Sequence, residues 1–161
     1  MRHPLLFALL IALAAPLHAF SFEGRVTRVK DGDSLMIYRP DVRRESEVRL
    51  AGIDAPELAQ PWGIQSRSAL RRLIAGRTVR VEVTDRDRYN RLVGKLHLGR
   101  TYVNARMAYD GNAWAFARYL PDPQIRAGHD AARRAGRGLW SLPPDQRIPP
   151  ATWRARHPRG N

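Results

Sequence analysis

The sequence predicts an α+β fold that is mainly β: a small closed barrel of five short strands with about three helices. Three observations carry this. Apolar residues alternate in short runs, as they do on half-buried strands. Turn residues (Gly, Asp and Asn) punctuate those runs at close intervals. One stretch with helical spacing is inserted after the third run.

The N-terminal stretch reads as a targeting segment rather than as fold. Met1-Arg2-His3 is a basic head, Leu5–Ala15 is an apolar run too short to span a bilayer, and Leu17-His18-Ala19 offers a small residue at a cleavage point. Residues 1–19 are therefore expected to be a signal peptide, residues 20–142 one domain, and residues 143–161 a Pro- and Arg-rich basic tail without order of its own. The exported chain is expected to be periplasmic or secreted, with no membrane segment in its mature form.

Within the domain, Phe22–Lys30 alternates around Val26 and Val29. Asp31-Gly32-Asp33 follows, and Ser34–Tyr38 then places Leu35 and Ile37 on one face. Asp-Gly between two strand patterns is a hairpin signal. After the polar loop Pro40–Glu45, Glu47–Ile53 is the third strand. Gln65–Ala75 carries Ala69, Leu70, Leu73 and Ile74 at helical spacing and stops at Gly76. Arg77–Thr84 alternates Val79, Val81 and Val83, the turn Tyr89-Asn90-Arg91 follows, and Leu92–Leu98 is the fifth strand. Tyr102–Tyr109 and Asp122–Ala135 read as helices, and Leu139-Trp140 as the segment that folds back over the core. This arrangement fits a Greek-key barrel of the OB type.

Charge narrows the function. The 161 residues carry 28 Lys+Arg against 15 Asp+Glu, a formal net charge of +13. Only Lys30 and Lys95 are lysines, so nearly all the positive charge is arginine. A polyanionic partner follows, nucleic acid before anionic membrane. With no cysteine there is no disulfide framework and no thiolate zinc site, and the histidines stand singly.

The acidic residues carry more information in such a basic chain. Arg49, Asp54 and Glu57 lie on or just past one strand, which Pro56 terminates. Carboxylates suit a hard cation, and an arginine fork suits a phosphate. Taken alone, Asp31-Gly32-Asp33 is most simply a hairpin turn, Asp54–Glu57 a capped turn, and Asp87–Arg91 a charged hairpin. The first is no EF-hand, because Met36 stands where that loop requires glycine.

Together, Asp31-Gly32-Asp33, Arg49 with Asp54-Ala55-Pro56-Glu57, Asp87-Arg88-Tyr89-Asn90-Arg91, Asn104 within Tyr102-Val103-Asn104-Ala105, and the closing Gly138-Leu139-Trp140 resemble the staphylococcal nuclease (thermonuclease) family, from about Phe22 to Ser141. The resemblance implies a calcium-dependent phosphodiesterase acting on DNA and RNA and leaving 3′-phosphate ends. It implies that Asp33, Asp54 and the backbone oxygen of Ala55 hold the ion, that Glu57 orients or deprotonates the attacking water, and that Arg49 and Arg91 bind the scissile phosphate. Tyr89, with Arg88 nearby, and Tyr119 would line the nucleotide pocket. Ala117 replaces a second pocket tyrosine. Trp62, in the short loop Leu58–Gly63, could stack on a base or pack at the start of the helix.

Two other readings stay open: a catalytically silent nucleic-acid-binding barrel, and a basic adhesin that binds anionic surfaces by charge alone. Under the nuclease reading, nucleic acid is the partner, the chain is a monomer, and the tail arginines Arg147, Arg154, Arg156 and Arg159 add sequence-independent affinity.

Overall fold

A computed structural model of the chain describes residues 20–116 and 122–158. The expected signal peptide, Ala117, Tyr119 and Arg159 lie outside the described residues.

The alternating runs form the strands they predict. β1 (Phe20–Val29) turns Phe22, Gly24 and Val26 inward, and β2 (Ser34–Arg39) buries Leu35 and Ile37 completely. The two pair antiparallel, with a bulge between Val26 and Arg28. β3 (Arg44–Leu50) returns along β2, pairing Ser34 with Arg49 and Leu35 with Val48. β5 (Thr78–Arg86) and β6 (Leu92–Leu98) extend the sheet from β1.

Closure comes from a parallel pairing of β3 with β6 through Val48–Leu92, Arg49–Val93 and Leu50–Gly94. Gly94 is required at this seam: a Cβ there would lie 2.8 Å from the Glu82 carbonyl oxygen. The result is the closed five-stranded barrel that the sequence predicts, extended at one edge by β7 (Thr101–Tyr102).

Helix α1 (Gly63–Ile74) buries Leu70 and Ile74 in the barrel core, beside Leu50, Ile53, Val81 and Leu96. Burying each such side chain contributes roughly 1.5–3 kcal/mol. α2 (Val103–Tyr109) inserts Val103, Asn104 and Met107. Asn104 is fully buried and knits three segments: its Nδ2 donates to the carbonyls of Ala51 and Gly94, and its Oδ1 accepts from the Leu96 N–H. α3 (Pro123–Arg134) is capped by Asp122 and packs on α2. Trp140 then closes a second small cluster with Ala132 and Leu139, beside Trp62 and Trp114 and separate from the barrel core that the sequence reading has this segment cover.

Two further features depart from the sequence-based expectation. The third strand breaks at Gly52, which takes a left-handed φ of +73°. Beyond it β4 (Ile53–Asp54) pairs with β8 (Trp114–Ala115) instead of continuing in the barrel. The second departure is the tail. Residues 144–146 form a 3₁₀ turn, and α4 (Pro150–Arg156) is a short helix. Proline at the first helical position has the φ that a helix needs and lacks only an N–H that would be unpaired there. The same prolines that argue for disorder therefore start this helix, and Pro150 is buried. Among the described residues no helix is long and apolar enough to cross a membrane.

Candidate active site

The site is assembled at one rim of the barrel, beginning with the β1–β2 hairpin. Asp31 Oδ1 accepts from the Asp33 N–H at 3.0 Å, which tightens the turn. Gly32 permits close docking, since a Cβ there would meet both Ser66 Oγ and the Ala55 side chain. Ser66 in turn donates to the Asn112 carbonyl from α1. The hairpin is thus seated between α1 and the Asp54–Glu57 turn, which points Asp33 inward.

Asp33 is 3% exposed. Its Oδ2 accepts from the Ala55 N–H at 2.7 Å, and its Oδ1 accepts from the Ser34 hydroxyl at 3.0 Å and pairs with Arg49 Nη1. The β2–β3 register, with Ser34 opposite Arg49, makes that pairing possible. Arg49 Nη2 reaches on to Asp54 Oδ1 at 2.9 Å and to the Ile53 carbonyl at 3.3 Å. One guanidinium therefore bridges two buried carboxylates. Burial pulls the Arg49 pKa down, but Asp33 and Asp54 outweigh it and hold it above the usual arginine value. Asp31 is pushed up to about 6, mainly by burial and further by the negative charge of Asp33.

Glu57 sits in the turn after Pro56, where Gln60 Oε1 accepts from its N–H. A residue from the far end of the chain joins it. Arg154, on α4, donates from Nη2 to Asp54 Oδ2 at 2.9 Å, and from Nη1 to Asp54 Oδ1 at 3.2 Å and to Glu57 Oε1 at 2.9 Å. Burial lowers the Arg154 pKa, but the hydrogen bonds and charges of Asp54 and Glu57 raise it on balance. Gln60 ties the same segment down by donating from Nε2 to the Ile148 carbonyl. Arg154 thus belongs to the site, which corrects its reading as a tail arginine acting through diffuse charge. The sequence carried a helix-start signal in Pro149-Pro150, but no spacing that revealed this reach.

Arg91 is positioned differently. It precedes Leu92, which pairs with Val48, so Arg91 and Arg49 flank that pair on neighbouring strands. Its guanidinium is held by Asp87, with Nε 2.7 Å from Oδ2, and its N–H donates to Asp87 Oδ1 at 3.0 Å. Asn90 makes this turn with a φ of +64°. Tyr89 is 65% exposed, and Arg88 donates to its hydroxyl at 2.7 Å. Both the Arg88 and Arg91 guanidiniums lie over the Tyr89 ring. The structure thus joins Asp33, Arg49, Asp54 and Glu57 in one network, with Ala55 bound to Asp33. It sets Arg88, Tyr89 and Arg91 on an adjoining hairpin. Trp62 packs: its Nε1 donates to Asn112 Oδ1 at 3.1 Å and its ring joins the Trp140 cluster. A separate groove of about 390 Å³, lined by Glu82, Lys95, His97, Tyr102 and Asp122, contains none of these groups.

The donor chemistry fits a hard divalent cation. Asp33 and Asp54 already face positive guanidinium groups, and carboxylate, carbonyl and water oxygens are the ligands calcium takes. Among the described residues no three His, Cys, Asp or Glu gather as a metal cluster.

The fold and site define a class: a closed OB-type barrel with paired carboxylates and arginines gathered at one rim. The particular family follows from comparison. Residues 47–142 match the model of the staphylococcal nuclease homologue family. An Escherichia coli O157:H7 protein named an uncharacterized endonuclease is 38% identical over 142 residues, covering 88% of this chain and 90% of its own. A Haemophilus influenzae protein of the same name is 34% identical over 130 residues, covering 81% and 71% respectively. An Oryza sativa subsp. japonica protein named "Probable staphylococcal-like nuclease" is 40% identical over 98 residues, covering 61% of this chain and 27% of its own. This chain belongs to the staphylococcal nuclease homologue family.

Proposed function

We propose that this protein is an exported, monomeric, calcium-dependent endonuclease that hydrolyses DNA and RNA to 3′-phosphate products. The observation that carries this is the Arg49 guanidinium bridging buried Asp33 and Asp54 in a chain of this nuclease family. The net charge of +13 supports a polyanionic substrate.

Asp33, Asp54 and the Ala55 carbonyl would hold the calcium. When bound, the ion supplies positive charge against the phosphate oxygens as negative charge builds on them. Arg49 and Arg91 grip the scissile phosphate, and their planar forks place two N–H donors where the transition-state charge grows. Glu57 orients a water for in-line attack and takes one of its protons. The new bond forms from that water oxygen to phosphorus, the bond to the 5′-oxygen breaks, and the 5′-oxygen takes a proton from solvent, which balances the proton that Glu57 removes. The phosphate stays on the 3′ side. Tyr89 and Arg88, on the exposed hairpin, contact the nucleotide, and Tyr119 keeps the pocket role that the family resemblance gives it.

Digestion of DNA and of RNA by the mature protein, with calcium and with EDTA, tests this. Cleavage with calcium and none with EDTA, giving 3′ ends that a terminal nucleotidyl transferase extends only after 3′-phosphatase treatment and 5′-hydroxyl ends that a polynucleotide kinase labels directly, is the expected result. Binding without cleavage under every condition would leave the silent-barrel reading in its place.

A further inference from the structure

We propose that Arg154 is a tethered occupant of the cation site: in the metal-free protein α4 holds its guanidinium on Asp54 and Glu57, and calcium binds by displacing it. This rests on the calcium site proposed above and assigns a second role to the carboxylates that form it.

The stereochemistry is the first argument. An ionised carboxylate offers about four lone-pair positions. Asp54 already uses three, with Oδ1 accepting from Arg49 Nη2 and Arg154 Nη1 and Oδ2 accepting from Arg154 Nη2. Asp54 is 3% exposed, so it has little room to turn toward another ligand. The one remaining position, on Oδ2, lies on the oxygen that accepts from Arg154 Nη2, so a cation that takes Asp54 there meets the Arg154 guanidinium.

Charge gives the same answer. Asp33, Asp54 and Glu57 carry three negative charges when ionised, and Arg49 and Arg154 return two positive ones. A divalent cation on Asp54 would add two positive charges directly beside the Arg154 guanidinium that shares this carboxylate. Two like-charged groups competing for one buried carboxylate repel strongly where water is scarce.

Architecture makes release feasible. The Arg154 side chain is 44% exposed, so its guanidinium can move into solvent. The helix itself is anchored by other contacts, namely buried Pro150 and the hydrogen bond from Gln60 to the Ile148 carbonyl. The guanidinium can leave while α4 stays docked. Arg49 differs, because the barrel register fixes it in place. Release also removes the Arg154 Nη1 contact from Glu57 Oε1, an oxygen that a water proton would need.

Calcium titration calorimetry on the mature full-length protein tests the competition, with calcium chloride alone as the probe and no nucleic acid present. Arg154→Ala is expected to bind calcium about tenfold or more tightly than wild type, the scale of a typical coupling between competing sites. Arg156→Ala, which alters an exposed arginine on the same helix, is expected to match wild type. The arginine Nε–Hε NMR spectrum of wild type provides a second measurement: the Arg154 resonance, identified by its absence in Arg154→Ala, should move toward the position of a free arginine when calcium is added. Equal or weaker calcium binding by Arg154→Ala, or an Arg154 resonance that calcium leaves unmoved, would overturn the proposal and leave the calcium site intact. Absence of calcium binding in both wild type and Arg154→Ala would overturn the calcium site, and this proposal with it.

Discussion

Arg49 on β3 and Arg91, the residue just before β6, flank the same Val48–Leu92 pair, yet they are held in opposite ways. Arg49 sits between two carboxylates that are each 3% exposed, and the sheet register fixes it. Arg91 lies at the base of an exposed hairpin and is held by Asp87, four residues away. The difference separates two tasks that arginine performs here. Arg49 neutralises charge that the fold has already buried, so it supports structure and site together. Arg91 is held by its own turn, so its role is confined to what the hairpin contacts.

The largest expected effect is at Arg49. Arg49→Ala leaves Asp33 and Asp54 facing each other without their bridge, and breaking a buried pair in this way costs about 3–5 kcal/mol. Urea unfolding should show that loss alongside abolished cleavage. A stable but inactive Arg49→Ala would show that Arg49 resembles Arg91 after all.

Arg91→Lys comes next. Lysine keeps the charge but not the two-point fork. Cleavage under saturating DNA should fall about 10²–10³-fold, while stability changes by less than about 1 kcal/mol. DNA binding without calcium should persist, since the wider basic surface supplies it. Wild-type cleavage by Arg91→Lys would remove Arg91 from the site.

Asp87 sharpens the comparison from the partner's side. Burial pushes its pKa up, but the Arg91 and Tyr89 backbone N–H groups and the Arg91 guanidinium outweigh it and hold it below the usual carboxylate value. A depressed folded-state pKa contributes stability above the unfolded value, and that stability is lost as pH falls through the folded value. Asp87→Asn should therefore be less stable than wild type at neutral pH, by less than about 1 kcal/mol. The gap should close as pH falls below about 4, near the ordinary aspartate pKa. A gap that persists at the lowest pH would show that Asp87 acts through packing and not through its charge.

The barrel was legible because its strands are long enough for period-two alternation to show, as in Val79, Val81 and Val83. β4 and β8, at two residues each, are too short to carry a period, and their pairing depends on a turn at Gly52 that brings distant segments together. The acidic and arginine motifs were legible as a set, since each needs a rare residue at a fixed place in a basic chain. Their partners were less so. The Asp33 and Asp54 bridge follows from register, and the Arg154 contact spans 100 residues to Asp54, which no local pattern encodes. Asn104 was legible as part of a motif, while its structural task, three hydrogen bonds inside the core, emerged only from the packing.

The most direct test of the site is calcium-titrated cleavage of DNA by the mature protein beside its Asp54→Asn variant. Asparagine keeps the shape of the side chain and removes the charge that calcium and both arginines share. The account predicts calcium-dependent cleavage by wild type, abolished by EDTA, and a loss of at least about 10²-fold in the variant at every calcium concentration. Wild-type cleavage that persists in EDTA, or a variant that cleaves as fast as wild type, would contradict it.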